Sequence, residues 1–286
     1  MTAGELLDEG AARIAASEAI DLWRPYMARL EAQELLAAAL GTGEAPDEGA
    51  PVAAPARRRY QGFLDRRVGG EPAALIVGHV NFRGLQLRTR PGVFIPRTSS
   101  ESLAGGAIRR LRGRRQPVAV DVATGSGPVA LAMAAEVPKA QVYGVDISGP
   151  ALALARFNAK RLGLPNVTFL RSDVLAALPR SLAGAVDVVT AHPPYVARSQ
   201  VDELPAEIRQ FEPLASLTDA SEDGLGLVRE LVAEAPGWLR RGGWMLIEVS
   251  PDLSRKVGGL LRRNGYREVK SHKDVLGATR VVGGRR

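Results

Sequence analysis

The spacing of apolar positions divides the chain into three stretches. From about Thr2 to Leu40 apolar residues recur at helical spacing, with Leu30, Leu35, Leu36 and Leu40 near one face and Pro25 suited to a first helical position. Gly41 stops the run. The segment Thr42 to Ala56 is rich in Pro, Ala and Gly, has no period and reads as a loop. A third helix, about Arg57 to Val68, ends at Gly69–Gly70, and the three helices, poor in aromatics, enclose a modest core. At Leu75 the period changes. Leu75–Ile76–Val77, Val80–Asn81–Phe82, a turn at Arg83–Gly84 and Leu85–Gln86–Leu87 alternate as a β-hairpin does, and Val93 to Arg97 follows.

From Gln116 onward short β-branched runs alternate with helical stretches. The expected strands are Val118–Val122, Gln141–Asp146, Val167–Ser172, Val186–Thr190, Trp244–Val249, Arg267–Ser271 and Arg280–Val282. Helices are expected to begin near Pro128, Gly149, Leu225 and Asp252. Such alternation predicts an α/β domain whose parallel sheet is covered on both faces. Ligands bind these sheets outside the carboxyl ends of the strands, at the topological switch point.

Composition narrows the chemistry. Cysteine is absent, which excludes disulfides, thiolate zinc sites and cysteine nucleophiles and makes a cytoplasmic setting the expectation. The histidines, His79, His192 and His272, have no ligand spacing, so no metal site is expected; His79 and His272 are assigned to surface or packing. No apolar run reaches the length of about 18 residues that spans a bilayer. Met1 to Gly10 lacks the basic-then-apolar pattern of a secretory signal. The net charge is +7, with basic clusters at Arg57–Arg59, Arg66–Arg67 and Arg109 to Arg115. These read first as solvated faces; attraction to nucleic acid or a ribosome-associated partner is the second reading, weakened because aromatics do not alternate with the arginines.

Strand Val118–Val122 runs into Ala123–Thr124–Gly125–Ser126–Gly127–Pro128. Glycines there permit positive φ and a close ligand approach. Asp146 ends the next strand, about 20 residues on, where a carboxylate can take two ribose hydroxyls. A dinucleotide fits the same spacing, but a pyrophosphate wants free N–H groups and positive potential. Pro128 lacks the N–H, and Asp121 brings negative charge. Both suit S-adenosylmethionine (SAM), which is cationic and carries no phosphate; a dinucleotide and a ligand-free tight turn stay as alternatives. Asp173 closes the third strand, where it suits an adenine amino group with Val174 against the ring; singly, such an Asp is a helix cap.

Strand Val186–Thr190 ends in Ala191–His192–Pro193–Pro194–Tyr195. Consecutive prolines fix an extended turn that presents rigid carbonyls and the Tyr195 ring at the sheet's carboxyl end. This is a platform for a planar group bearing N–H bonds, positioned beside a methyl donor.

Together these motifs resemble the protein-(glutamine-N) methyltransferases of the PrmC/HemK family, which modify the Gly-Gly-Gln loop of peptide-chain release factors. The likeness runs through Leu64 to Arg67, Gly70–Glu71–Pro72, Phe94 to Glu101, Asp121 to Gly127, Phe211–Glu212–Pro213, Asp223–Gly224 and Lys273 to Val282. It implies a Rossmann-like class I methyltransferase: a helical substrate-contacting domain over 1–72, a β-hairpin linker over 73–97, and a seven-stranded SAM-binding catalytic domain over 98–286. SAM, leaving as S-adenosylhomocysteine, is then expected against Asp121, Ala123, Thr124, Gly125, Gly127, Asp146, Asp173, Val174 and His192. His192, Pro193, Pro194 and Tyr195 are the expected catalytic loop, with Arg97 and Tyr195 on the acceptor.

Four departures stand out. His192 replaces the family's Asn, Ala123 mildly replaces the first loop glycine, Thr98–Ser99–Ser100 replaces Pro-Glu-Thr, and Ser250–Pro251–Asp252 replaces a Gly/Tyr/Asp/Gln run. Neutral imidazole has one donor and one acceptor on opposite ring edges and does not copy an amide's paired contact. The first functional reading is therefore an N-directed SAM-dependent methyltransferase with an altered acceptor, a small molecule or another protein. A nucleobase amine is less favoured, and no membrane partner is expected. The alternatives are a release-factor glutamine N-methyltransferase and a SAM-binding protein without catalysis.

Overall fold

Thr2 opens the first helix, α1 (Ala3–Ala15), through a reciprocal cap: its hydroxyl accepts from Glu5 N–H, and the Glu5 carboxylate accepts from Thr2 N–H. The computed structural model describes residues 1–21, 26–44, 47–274 and 277–286, so the helical position expected of Pro25 lies outside the described residues. Helix α2 (Tyr26–Leu40) buries Ala28, Ala32, Leu35, Leu36 and Ala39. Leu30 sits off that stripe and is 50% exposed, contrary to the expected face, because small alanines fill the contact instead. Helix α3 (Ala54–Val68) starts ahead of the expected Arg57, since Pro55 is accommodated in its first turn.

The run Leu75–Ile76–Val77 belongs to a short helix, α4 (Ala73–Val77), and not to the hairpin. Pro72 precedes it and Gly78, at φ 76, ends it. Ala73 and Ile76 join the helical core, a pairing that apolar content alone does not distinguish from a strand. The hairpin is β1 (His79–Phe82) and β2 (Leu85–Arg88), turning at Arg83 and Gly84, both with positive φ as a type I′ turn requires.

Helix α5 (Glu101–Leu111), absent from the sequence expectation, precedes β3 (Val118–Val122). There follow α6 (Pro128–Glu136), β4 (Gln141–Asp146), α7 (Gly149–Arg161), β5 (Val167–Arg171), β6 (Val186–Ala191), α8 (Ala206–Phe211) and α9 (Gly226–Trp238). The chain closes with β7 (Leu239–Glu248), α10 (Ser254–Arg263), β8 (Arg267–Lys273) and β9 (Thr279–Arg285).

Two units result. The first comprises Met1–His79, Thr89–Pro91 and Asp202–Glu212. Its core is aliphatic around Tyr60, whose hydroxyl donates to the Leu6 carbonyl. Arg67, read from sequence as part of a solvated cluster, is only 2% exposed and pairs with Glu31 (2.7 Å) and Glu207 (2.9 Å). A buried guanidinium needs such partners, and Glu207 on α8 thereby ties the Asp202–Glu212 segment into this unit.

The second unit comprises Val80–Arg88, Gly92–Val201 and Pro213–Arg286. Its seven strands run in the order β5-β4-β3-β6-β7-β9-β8; the first five are mutually parallel, and β9 is antiparallel to both β7 and β8. Alternate residues serve opposite faces. Ala119, Val142, Val188 and Leu246 pack under α5, α6 and α7, while Val120, Val189, Met245 and Ile247 pack under α9 and α10. The connections reverse between β3 and β6, which opens the switch-point crevice there. Among the described residues no helix is long and apolar enough to cross a membrane.

Candidate active site

The crevice is built by adjacent strand ends in register. Asp121 lies opposite Thr190 and Val122 opposite Ala191 on one side, and Val122 lies opposite Val145 on the other. The loop after β3 is pinned from both flanks. Thr124 N–H donates to Val145 O (3.0 Å), and the Thr124 hydroxyl donates to Asp121 Oδ2 (2.6 Å). Asp121 Oδ1 accepts from the Thr190 hydroxyl (2.7 Å), so both carboxylate oxygens are spent bracing the loop against β6. Burial pushes the Asp121 carboxyl up to about 6, against the pull of the two threonines.

Asp146 joins the loop to the next strand end. Its Oδ2 accepts from Gly125 N–H and its Oδ1 from Ser148 N–H, each at 2.8 Å, while burial raises its pKa. Gly125 has φ 56, and a Cβ there would meet nothing within 4 Å, so the loop faces open space. Gly127 caps α6 and Pro128 follows at the first turn, leaving no N–H at that position. An open cradle, no donor from Pro128 and two carboxylates fit a cationic, phosphate-free cofactor and oppose a pyrophosphate.

Ala123 adopts φ 53, where an L side chain costs about 1–2 kcal/mol. Its exchange for the family's glycine is thus less mild than the residue size suggests. Ala123→Gly is expected to raise unfolding stability by roughly 1 kcal/mol in urea titrations; an unchanged midpoint would show that the loop relaxes around alanine.

Asp173 and Val174, the expected adenine contacts, differ in burial. The Asp173 side chain is exposed, and Val174 is 4% exposed in the core beneath the sheet, at φ 41. A β-branched residue in that region stores strain of about 1–3 kcal/mol. Ile147, passed over in the sequence, is 55% exposed directly after Asp146 and offers a flat apolar group an uncovered contact.

On the β6 side His192 stands on Pro193 and Pro194. Its ring stacks on Tyr195 (centroids 5.7 Å apart, 21° between planes) and meets Phe94 edge-on at 5.6 Å. The Arg97 guanidinium lies over Phe94 at 4.8 Å. Burial first, then Arg97 and Arg280, hold the His192 pKa below its ordinary value, against Glu248. Burial likewise raises Tyr195, whose hydroxyl is hydrogen-bonded by Arg280. Sequence reasoning missed Thr190, Glu248, Phe94 and the contacts of Ser99 and Ser100. The Ser100 hydroxyl lies 3.1 Å from His192 Nδ1, and Ser99 Oγ donates to Glu248 Oε1 at 2.7 Å.

The loop leaving Tyr195 is clamped. Val196 N–H donates to Leu217 O and Arg198 N–H to Ser221 O. Gly224, at φ 67, approaches so closely that a Cβ would lie 2.1 Å from the Tyr195 carbonyl oxygen. Gly224→Ala is expected to lower stability by about 2 kcal/mol or more, read as a drop in melting temperature; wild-type stability would show that the backbone yields there.

A methyltransferase-domain family model matches residues 115–224. The release factor glutamine methyltransferase of Bordetella pertussis is 36% identical over 263 residues, 91% of this chain and 96% of that protein. The enzyme of the same name from Moorella thermoacetica is 37% identical over 288 residues, covering 98% and 97%. A methyltransferase structure from Pyrococcus furiosus superposes with TM-score 0.52 at 19% identity over 71% of this chain and 89% of that one, a likeness of fold. Sheet order, loop chemistry and relatives define a class I SAM-dependent methyltransferase, an enzyme that acts on an acceptor substrate. Within that class the chain belongs to the PrmC/HemK-type family.

Proposed function

We propose that this enzyme methylates the side-chain amide nitrogen of a glutamine in a peptide-chain release factor. The observation that carries this reading is full-length similarity, 37% identity over 98% of the chain, to an enzyme named for that substrate. The relatives thus favour the release factor over the altered acceptor that the sequence departures put first. A cytoplasmic setting belongs to the same proposal.

In this reading SAM lies along Ala123, Thr124, Gly125 and Gly127, with Asp146 on its ribose hydroxyls and Ile147 against its adenine. Asp121 contributes negative potential through the braced loop, and Asp173, with Val174 beneath it, is the contact for the adenine amino group. SAM supplies an electrophilic methyl group and leaves as S-adenosylhomocysteine. Pro193 and Pro194 hold the turn rigid, so the backbone carbonyls and the His192 and Tyr195 rings orient the acceptor amide with little reorganisation. Arg97, packed on Phe94, borders the acceptor side.

The test is incubation of the enzyme with full-length release factor and methyl-labelled SAM, followed by peptide mass spectrometry. Label on the glutamine of the Gly-Gly-Gln loop is the expected result. An unlabelled release factor, with methyl transfer to another amine, would replace this reading with the altered acceptor, for which His192 in place of Asn is the supporting observation.

A further inference from the structure

Two of the four departures from the family pattern, His192 and the Thr98–Ser100 replacement, meet in space. Ser100 Oγ is 3.1 Å from His192 Nδ1, although the residues are 92 positions apart. On the same edge of the ring, Glu248 Oε2 lies 3.8 Å from Nδ1. Glu248 ends β7, is 1% exposed, and has its other oxygen held by Ser99 at 2.7 Å. Oε2 is buried with no hydrogen-bond partner among the described residues. An orphaned buried carboxylate oxygen is costly unless a donor turns toward it. Nδ1–H, 3.8 Å away, is the nearby donor whose dipole meets that need, and the Ser100 hydroxyl lies within hydrogen-bond distance of the same nitrogen. Every hydrogen bond of the ring among the described residues runs through Nδ1, which leaves Nε2 for a ligand.

We propose that Glu248, positioned by Ser99, fixes His192 in the Nδ1–H tautomer with Ser100 beside the same nitrogen, so that the Nε2 lone pair receives an N–H of the acceptor amide. This rests on the release-factor reading for the identity of the acceptor alone. As the acceptor nitrogen gains its bond to the methyl carbon, the C–S bond breaks with its electron pair left on sulfur. The nitrogen then carries a surplus proton, which passes to Nε2 and afterwards to water. The transient imidazolium faces the Glu248 carboxylate, with Arg97, Arg280 and Tyr195 as the other ionisable neighbours. Burial keeps the resting ring neutral, as a proton acceptor must be. His192 is thus the group touching substrate, and Glu248 is a positioning residue.

The tautomer is directly readable. The ring nitrogens of three histidines are assigned by ¹⁵N NMR, with His192→Asn removing one set of signals. The wild type is expected to show the proton on Nδ1. In Glu248→Gln the carboxamide N–H₂ faces Nδ1 and the proton moves to Nε2, whereas Glu248→Asp retains the wild-type tautomer. A proton on Nε2 in the wild type, or no change in Glu248→Gln, overturns the proposal. Where Glu248→Gln does not fold, Ser100→Ala is read for the same redistribution between tautomers.

Turnover supplies the second arm. Glu248→Gln is expected to lower kcat about 10- to 100-fold with KM for release factor little changed, because an Nε2 that already carries a proton cannot receive the one the acceptor nitrogen gives up. In a His192→Asn background the same change should cost no more than about twofold, since no tautomer remains to be set. Equal losses in both backgrounds would assign Glu248 a structural role and sink the proposal. If release factor is not methylated at all, the functional reading fails while the NMR result still decides the tautomer.

Discussion

Asp146→Ala is expected to weaken SAM binding by about 10²- to 10⁴-fold in titration calorimetry, a larger loss than any other change to the glycine loop. The size follows from two roles in one carboxylate. Its oxygens each accept a backbone N–H, from Gly125 and Ser148, and so hold the loop in its open curve against the end of β4. In the proposed complex it also receives the ribose hydroxyls. Hydrogen bonds to an ionised group contribute about 1.5–3 kcal/mol each, so losing two in the complex gives the stated range. Asp146→Asn keeps one acceptor oxygen and should fall between the two. Circular dichroism of both variants should match the wild type, because the strand itself is held by pairing with β3 and β5. Unaltered SAM affinity in Asp146→Ala would remove this residue from the cofactor site and unsettle the placement of the cradle.

The parts of the site lying along one strand and its following loop were legible in the sequence. The limits of β3 and β4 and the starts of α6 and α7 fall where the pattern puts them, since β-branched runs, Gly-Pro and Ser-Gly-Pro boundaries are local signals. Helix α5 was hidden. Gly105 and Gly106 lower its helix propensity, yet Gly106 is where a Cβ would come within 3.3 Å of Leu246, so packing on the sheet decides the matter. Helix α4 was misread because five apolar residues satisfy a buried strand and a buried turn of helix alike.

Contacts between distant segments leave no trace in a local pattern. Ser99 and Glu248 are 149 positions apart, and each taken singly is an ordinary polar residue. Their meeting depends on β7 lying beside β6, with α5 starting just after Ser100. Arg67 was misassigned for the same reason, as its partners Glu31 and Glu207 sit 36 and 140 positions away. Hence the motif-borne cofactor half was readable, and the acceptor half became interpretable only when the departures were seen to touch.

His192→Ala separates those halves in the laboratory. Its kcat with release factor is expected to fall about 10²- to 10⁴-fold, while SAM affinity stays within about twofold, because the imidazole lies on the β6 side and the cradle is braced through Asp121, Thr124 and Asp146. The pH profile adds a sign. A proton-accepting imidazole works in its neutral form, and burial holds its pKa below the ordinary 6.5. Wild-type kcat should therefore be level through neutral pH and decline only on the acid side of that value, as the ring protonates. In the alanine variant the residual rate should lack this acid limb. Full turnover by His192→Ala would make the imidazole a mere space-filler where the family has Asn. A wild-type rate still climbing well above neutral pH would instead place the controlling proton on another group, and the stacked Tyr195, raised by burial, would be the side chain to examine.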